Sequence, residues 1–301
     1  MIMDKERGLV ILQGLPASGK STMRRELIEK SPCRFAYVNK DELRLANPTL
    51  DERNIHALQI DKATDQLQAG FSVIIDNTNL NPRTLESYKK LAESQGVGLI
   101  TTLAPYAHDW ASCIYRDKSP HRLQAGTSVG RSVIIKMAME AGFYDAPKYK
   151  ARVFDVDGTL TLVGERRRHV LKTSKHPEAD WGSFFKEMVY DGPNKPVVDA
   201  YNKYADSTDD GHILICCSGR PENYRRETEE WLEKNVLSMP YLLLMRPTGS
   251  HQPDDFVKKQ LYEKYIKPFF EVEVVFDDRD AVVKMWRQQG LTCFQVAEGD
   301  F

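Results

Sequence analysis

The chain has 301 residues, enough for two domains of ordinary size, and its 41% hydrophobic and 28% charged residues are the balance of a globular protein. No apolar run reaches the length of a membrane span, and the opening MIMDKERGLVILQG passes from charged residues into a core strand with no signal-peptide pattern; a cytoplasmic protein with no membrane partner is expected. The formal net charge of −1 excludes a global basic field, so any nucleic acid partner must be held by a local groove. Cys33, Cys113, Cys216, Cys217 and Cys293 form no CxxC pair, and the seven histidines form no HExxH cluster. Disulfide frameworks and histidine-built zinc sites are set aside, and the cysteines read as core fillers in a reducing compartment.

In chain order, LVILQ reads as a strand, KSTMRRELIEK as a helix and RFAYV as a strand, followed by helical stretches to Gly70. The strand FSVII, the helix NPRTLESYKKLAESQG and the strand VGLITTL come next, then helices in DWASCIYRDKS and SVGRSVIIKMAMEAG. The strands are short, apolar and β-branched, as in a parallel sheet covered on both faces. A boundary falls near GFYDAPKYK, separating domains 1–147 and 148–301. The second half restarts with ARVFDVD and continues through HILICCSGR, YLLLMRP, EVEVVFDDR and CFQVA. Both halves alternate strand and helix, so the expected class is α/β with two parallel-sheet domains. The irregular stretch 161–194 reads as an insertion between the second domain's first strand and its helix.

GLPASGKS matches GxxxxGK[ST] at Gly14, Gly19, Lys20 and Ser21, between a predicted strand and helix. The glycines let backbone amides wrap a phosphate chain, with Ser18 and Thr22 beside them, and the helix N-terminus adds positive potential. Lys20 is placed for the β- and γ-phosphates of ATP or another nucleoside triphosphate, and Ser21 for Mg²⁺. In VNKDELR, Asp41 reads either as the base for an attacking hydroxyl or as an ordinary acidic first turn. Arg44, three residues on, shares its helical face. DNTNLNP follows the third strand: Asp76 is a candidate for orienting Mg²⁺ or an arginine and Asn77 or Asn79 for the acceptor, against plain turn chemistry. Arg116 and Arg122 in YRDKSPHR read as a lid clamping phosphates.

FDVDGTL places two carboxylates two residues apart after a strand. That spacing suits Asp155 as nucleophile toward phosphorus and Asp157 as the acid that protonates the leaving oxygen. Mg²⁺ would screen the approach of one anion to another. Ser218 and Gly219 end the strand ILICCSGR, Lys258 lies in DDFVKKQLY, and Asp277 and Asp278 end VVFDDRD. All fall at or just after predicted strand ends, so one sheet edge collects them.

This constellation resembles the haloacid-dehalogenase phosphohydrolase superfamily, which implies a Rossmann-like domain and the nucleophile and acid roles of Asp155 and Asp157. The inserted GERRRH segment then matches the superfamily's small cap, with Arg166 and Arg220 as candidates for gripping a substrate backbone. The P-loop followed by this phosphatase, with NKDELR, TNLNP, Arg116, Arg122 and the closing run FDDRDAVVKMWRQQGLTCFQVAEGDF, resembles the bacteriophage-type polynucleotide 5′-kinase/3′-phosphatases over nearly the whole chain. The resemblance implies Asp41 as general base, Arg44 on the acceptor's 3′-phosphate, and Lys258 with Asp277 and Asp278 completing a phosphatase site in which Asp155 and Asp157 also serve Mg²⁺. It implies RNA or DNA ends as substrates, a 3′-phosphatase whose action on 2′,3′-cyclic ends is left open, a ligase as functional partner, a homo-oligomer, and host cytoplasm if phage-encoded. In the family pattern S-D-T-N the acid falls on Asn77 of Asp76-Asn77-Thr78-Asn79, so its role has either moved to Asp76 or changed. The rival reading is a sugar or nucleoside kinase fused to a metabolite phosphatase.

Overall fold

The computed structural model describes residues 7–31, 34–171, 179–206 and 212–299. The chain separates into two compact units, Met1–Asp145 and Ala146–Phe301. Each is an α/β unit built on a parallel sheet.

The first unit runs β1 (Gly8–Gln13), α1 (Lys20–Lys30), β2 (Phe35–Val38), α2 (Lys40–Ala46), α3 (Glu52–Gln68), β3 (Ser72–Asp76), α4 (Pro82–Gln95), β4 (Gly98–Leu103), α5 (Trp110–Asp117), α6 (Pro120–Gln124) and α7 (Arg131–Glu140). The sheet order is β2-β3-β1-β4, all parallel. Strands β1 and β3 are buried almost throughout; Leu9, Ile11, Val73 and Ile75 join one core with Ile55 and Tyr88, and Val10, Leu12 and Ile74 another with Phe35. The expectation of burial on both faces fails for β4, whose residues are mostly exposed. It is an edge strand paired only with β1, and its threonines tolerate water. The chain leaves β1 for β2, two places away, and later places β4 on the other side. The crevice this reversal opens at the carboxyl end of β1 is where α/β sheets hold ligands.

Local sequence sets the helix starts. Asn39 caps α2 by accepting from the amides of Asp41 and Glu42, Asp51 caps α3, and Asn81 with Pro82 starts α4, each satisfying amides that have no partner inside the helix.

The second unit runs β5 (Tyr149–Phe154), β6 (Thr161–Leu162), a short 3₁₀ turn (Glu165–His169), α8 (Trp181–Lys186), β7 (Gly192–Pro193), α9 (Lys195–Asp206), β8 (His212–Pro221), α10 (Arg225–Asn235), β9 (Leu242–Arg246), α11 (Asp254–Leu261), β10 (Phe270–Asp277), α12 (Asp280–Gln288) and β11 (Cys293–Gln295). The sheet order is β11-β10-β5-β8-β9, parallel throughout. The predicted insertion carries the antiparallel pair β6–β7, the 3₁₀ turn and α8; residues 172–178 of it lie outside the described residues. Phe154, at the end of the central strand, stacks on Phe276 with centroids 4.4 Å apart and meets Tyr201 edge-on at 5.1 Å, so the core packs directly beneath Asp155. Cys113, Cys216, Cys217 and Cys293 are buried free thiols, while Cys33 falls outside the described residues. Among the described residues no helix is long and apolar enough to cross a membrane.

Asn79 holds the first sheet's crevice together. It is buried at φ 50°, and its side-chain amide donates to the carbonyls of Leu12 at 2.8 Å and Ile75 at 3.1 Å, joining the ends of β1 and β3. Its carbonyl accepts from Gln13 at 2.8 Å. Replacing Asn79 with alanine removes both side-chain bonds and should cost about 2–4 kcal/mol of unfolding free energy in chemical denaturation, far more than an exposed turn residue would.

Candidate active sites

In the first unit, Gly14 through Thr22 join β1 to α1. Gly14 has φ 148° and Gly19 φ 99°, and a Cβ on Gly14 would lie 2.6 Å from Ser18 Oγ and 2.9 Å from the Ala107 backbone. Only glycine fits a loop folded this tightly. The Gly14 amide donates to the Thr78 carbonyl at 3.0 Å and the Leu15 amide to the Ala107 carbonyl at 3.2 Å, which seats the loop between the segments after β3 and β4. Lys20 is buried and donates to the carbonyls of Gly14 at 3.0 Å and Leu15 at 2.8 Å and to Ser18 Oγ at 3.3 Å. Burial pushes its ammonium down to about 8, against the pull of Asp76. Ser21 and Thr22 are exposed on the first turn of α1.

The segment after β3 divides its labour. Asp76 is buried, 3.3 Å from the Arg24 guanidinium. Burial raises its carboxyl above the usual range, against Arg24, Lys20 and a hydrogen bond from Ser21. Its Oδ2 has no hydrogen-bond partner. Asn77 instead accepts from the Lys40 amide at 2.9 Å, fixing the start of α2. Asn79, expected as an acceptor contact, is the buried tie described above, its amide nitrogen already occupied by backbone carbonyls. Asp41 is exposed on α2 and pairs with Arg44. Arg44 also forks onto Glu52, Nε to Oε1 at 2.6 Å and Nη2 to Oε2 at 3.0 Å. Glu52, at the start of α3, escaped the sequence reading because nothing local marks it as opposite Arg44.

Arg116 donates from Nε to the Ala17 carbonyl at 2.9 Å and lies over the Tyr106 ring at 4.5 Å, so it rests on the phosphate-binding loop. Arg122 is tethered: Nε donates to Asp117 Oδ1 at 3.1 Å and its guanidinium also reaches the Thr127 carbonyl. Asp117 is buried and accepts as well from Ser128 Oγ at 2.8 Å and the amides of Val129 and Gly130 at 3.0 and 2.9 Å. That carboxylate ties Arg122 and the backbone at Val129 and Gly130 to the end of α5, through a loop whose partners follow no helical spacing.

In the second unit, Asp155, Asp277 and Asp278 each offer a carboxylate oxygen, all within 4.8 Å of one another and all buried. Strand register causes this: Phe154 pairs with Phe276, so Asp155 and Asp277 follow level on adjacent strands. Lys258, buried on α11, lies 2.8 Å from Asp155, 2.9 Å from Asp277 and 3.5 Å from Asp254. Burial, with Asp277 and Asp278 nearby, raises Asp155 well above the ordinary carboxylate range against the pull of Lys258. Burial followed by Asp277 raises Asp278 to about 6. One ammonium against three carboxylates leaves excess negative charge, and Asp278 Oδ2 has no hydrogen-bond partner. Oxygen donors of this kind suit a hard divalent cation such as Mg²⁺. A Cβ on Gly158 would stand 2.0 Å from that same Oδ2, and one on Gly219 2.3 Å from Asp254 Oδ1, so both glycines make room for carboxylates. Ser218 is buried, its Oγ accepting from the Arg220 amide at 3.2 Å.

Asp157 is not among the three clustered carboxylates. Its Oδ1 accepts from Arg166 Nη2 at 2.6 Å and from Arg220 Nε and Nη2 at 2.9 and 2.6 Å. Burial pushes Asp157 up, but Arg220 and Arg166 outweigh it and bring it down to about 2. Arg166 and Arg220, the candidates for gripping a substrate backbone, are both buried and bonded to Asp157. Asp191 completes the group, taking Arg166 Nε at 2.9 Å and Nη2 at 2.6 Å. Asp191, Asp254 and Trp286, whose indole donates to Asp277 Oδ2 at 3.1 Å, were missed; Asp191 carried no local signal, whereas Asp254 stands four residues before Lys258 on α11 and Trp286 lies inside the closing run.

With this geometry in view, residues 149–301, half of the chain, match the model of the polynucleotide kinase PNKP phosphatase domain, and the chain belongs to that family. Residues 9–118 match the model of an AAA domain. A protein of Autographa californica nuclear polyhedrosis virus that goes by the description bifunctional polynucleotide kinase/RNA ligase is 25% identical over 309 aligned residues, covering 95% of this chain and 42% of its own length. The chain thus spans about two fifths of that relative. A chain of the solved Pnkp1/Rnl/Hen1 RNA repair complex is 27% identical with a TM-score of 0.43, and the match covers 100% of this chain and 99% of that one.

Trp286 fixes one oxygen of Asp277, and loss of such a support commonly weakens a metal site about 10–100-fold. Trp286→Phe should lower Mn²⁺ affinity within that range in a calorimetric titration, with the variant's folding checked by circular dichroism.

Proposed function

We propose that the protein heals broken nucleic acid ends, moving the γ-phosphate of ATP to a 5′-hydroxyl and removing the 3′-phosphate that blocks the other end. The observation that carries this reading is the phosphatase-family membership of the unit holding Asp155, Lys258, Asp277 and Asp278, on a chain that also bears a phosphate-binding loop. The viral relative's description names a polynucleotide kinase and an RNA ligase, which supports ligation as the step that uses the healed ends.

For the kinase, the amides of Gly14–Ser21 hold the phosphate chain and Lys20 exchanges the loop carbonyls for β- and γ-phosphate oxygens. Asp41 takes the proton of the attacking 5′-hydroxyl, Arg44 receives the acceptor's 3′-phosphate in place of Glu52, and Arg116 and Arg122 bear on the transferred group. Ser21 and Asp76 would hold Mg²⁺.

For the phosphatase, Asp155 attacks phosphorus. A bond forms from its carboxylate oxygen while the bond to the 3′-oxygen breaks, and Asp157 supplies the proton that leaves with the 3′-hydroxyl. Asp157 then takes a proton from water, whose oxygen attacks the phosphorus and frees inorganic phosphate and Asp155. Because Arg166 and Arg220 hold Asp157 ionised, the substrate's anionic oxygens must draw those guanidiniums away so that Asp157 takes up a proton from solvent before it can donate it. Lys258, Ser218 and the Gly219 amide stabilise the phosphoryl oxygens. Mg²⁺ held by Asp155, Asp277 and Asp278 screens the repulsion between substrate and carboxylates.

Lys20→Ala should cut phosphate transfer by about 10²–10³-fold or more, the loss of a charge aimed at the transition state, and leave 3′-phosphate hydrolysis intact. Asp155→Asn should do the reverse, since an amide is no nucleophile; end-labelled oligonucleotides read both.

The two sites must also not undo one another. An oligonucleotide phosphorylated at both ends, incubated with Mg²⁺ and no nucleotide, should lose its 3′-phosphate and keep its 5′-phosphate. Equal release from both ends would mean a general phosphohydrolase.

A further inference from the structure

The inserted segment and the turn before α10 together present a row of rings with no part in the chemistry above. Trp181 opens α8, and its indole lies 6.0 Å from the Phe185 ring at an interplanar angle of 26°. Phe185 in turn lies 5.4 Å from Tyr224 at 34°. Phe184 braces the row from below, edge-on to Trp181 at 5.4 Å and to Phe185 at 5.2 Å. Phe184 is 8% exposed, as a core residue should be, but Trp181 is 51% exposed. The distinguishing feature is not the exposure of one ring but its place at the end of a contiguous row of rings.

The bracing ring and the Tyr224 end of the row are both wired to the reacting groups. Arg166 lies over the Phe184 ring at 4.2 Å and donates to the Phe184 carbonyl at 3.4 Å. The same guanidinium holds Asp157 Oδ1 at 2.6 Å. At the other end, the Tyr224 carbonyl accepts from Thr228 Oγ1 at 2.9 Å, and that hydroxyl accepts from Arg220 at 3.3 Å. Arg220 is the second holder of Asp157. The rings are therefore continuous with the place where the scissile phosphate must sit.

We propose that Trp181, with Phe185 and Tyr224, is a stacking platform for the unpaired nucleobases next to a 3′-phosphate, and so sets the substrate class of the phosphatase as single-stranded ends. This rests on the end-healing reading and adds to it. A monophosphate offers the carboxylate cluster the same group whatever molecule carries it, so the cluster cannot select nucleic acid. A π-face can, and it does so without regard to sequence because every base has one. A base paired inside a duplex has both faces covered and cannot use the platform. A broken strand presented to this unit is then held at two points, its phosphate at Asp155 and its base on Trp181.

The test is steady-state hydrolysis by the full chain with Mg²⁺ on three substrates: a single-stranded 3′-phosphorylated oligonucleotide, the same strand with its last two residues abasic, and p-nitrophenyl phosphate. Trp181→Ala should raise KM for the first by about 5- to 100-fold, the range that one base–aromatic stack is worth, with kcat little changed. It should leave the abasic strand and p-nitrophenyl phosphate unaffected, and Trp181→Phe should restore most of the affinity. An equal loss on the abasic strand, or a fall in kcat on all three substrates, would make Trp181 a structural brace and overturn the platform. No effect on any substrate would overturn it too. If the unmodified protein hydrolyses p-nitrophenyl phosphate but neither strand, end healing itself fails, an outcome separate from the others. A wild-type preference for blunt duplex ends over single strands would also refute the proposal.

Discussion

Three carboxylates that repel one another are the constraint around which the phosphatase unit is arranged. Asp155, Asp277 and Asp278 are buried with their oxygens within 4.8 Å, a placement that costs free energy unless positive charge answers it. The answer within the chain is Lys258, delivered by α11 to within 3 Å of Asp155 and Asp277. The remainder calls for a cation from outside. Much of the local structure exists to keep the group in place: the level pairing of Phe154 with Phe276, the missing side chain at Gly158 and the indole of Trp286 on Asp277. An anionic substrate can approach such a cluster only once its charge is balanced, so cation binding and phosphate binding are physically linked.

The second group, Asp157 and Asp191 with Arg166 and Arg220, follows the opposite rule. Here charge is already matched, and each buried guanidinium is held by more than one acceptor. An arginine fixed in this way arrives at a phosphate in a set orientation with little rotamer freedom left to lose. It also couples the insertion to the chemistry. Arg166 stands on the 3₁₀ turn of the inserted segment yet reaches the carboxylate that follows β5, so whatever docks on the insertion bears on Asp157.

The nucleotide unit solves a related problem with backbone in place of side chains. Gly14 and Gly19 adopt angles that other residues resist, which turns loop amides toward an anion. Lys20 rests meanwhile on the carbonyls of Gly14 and Leu15. Asp117 gathers two amides, a hydroxyl and Arg122 around one buried carboxylate and gives the basic segment after α5 a defined shape. In the proposed function, adding a phosphate at one end of a strand and removing one at the other would be compatible in a single chain because each site would act on a different end.

The sequence by itself determined the local chemistry. GLPASGKS and FDVDGT specify a loop and a strand end through the backbone freedom of glycine and the position of charge, and no distant contact is needed to read them. Alternating apolar strands and capped helices likewise announced two α/β units. What only the tertiary structure decided is which charges face each other. Arg166 and Arg220 read as candidates for gripping a substrate backbone, and only the fold reveals that both lie buried on Asp157. Asn79 looked like an acceptor contact and is a buried tie between β1 and β3. Asp191 gave no local sign of its partner. The physical reason is distance along the chain: Arg220 lies 63 residues from Asp157 and Arg166 25 from Asp191. A motif records the conformation of its own few residues, while an ion pair between remote segments exists only once strand order and register have brought them together.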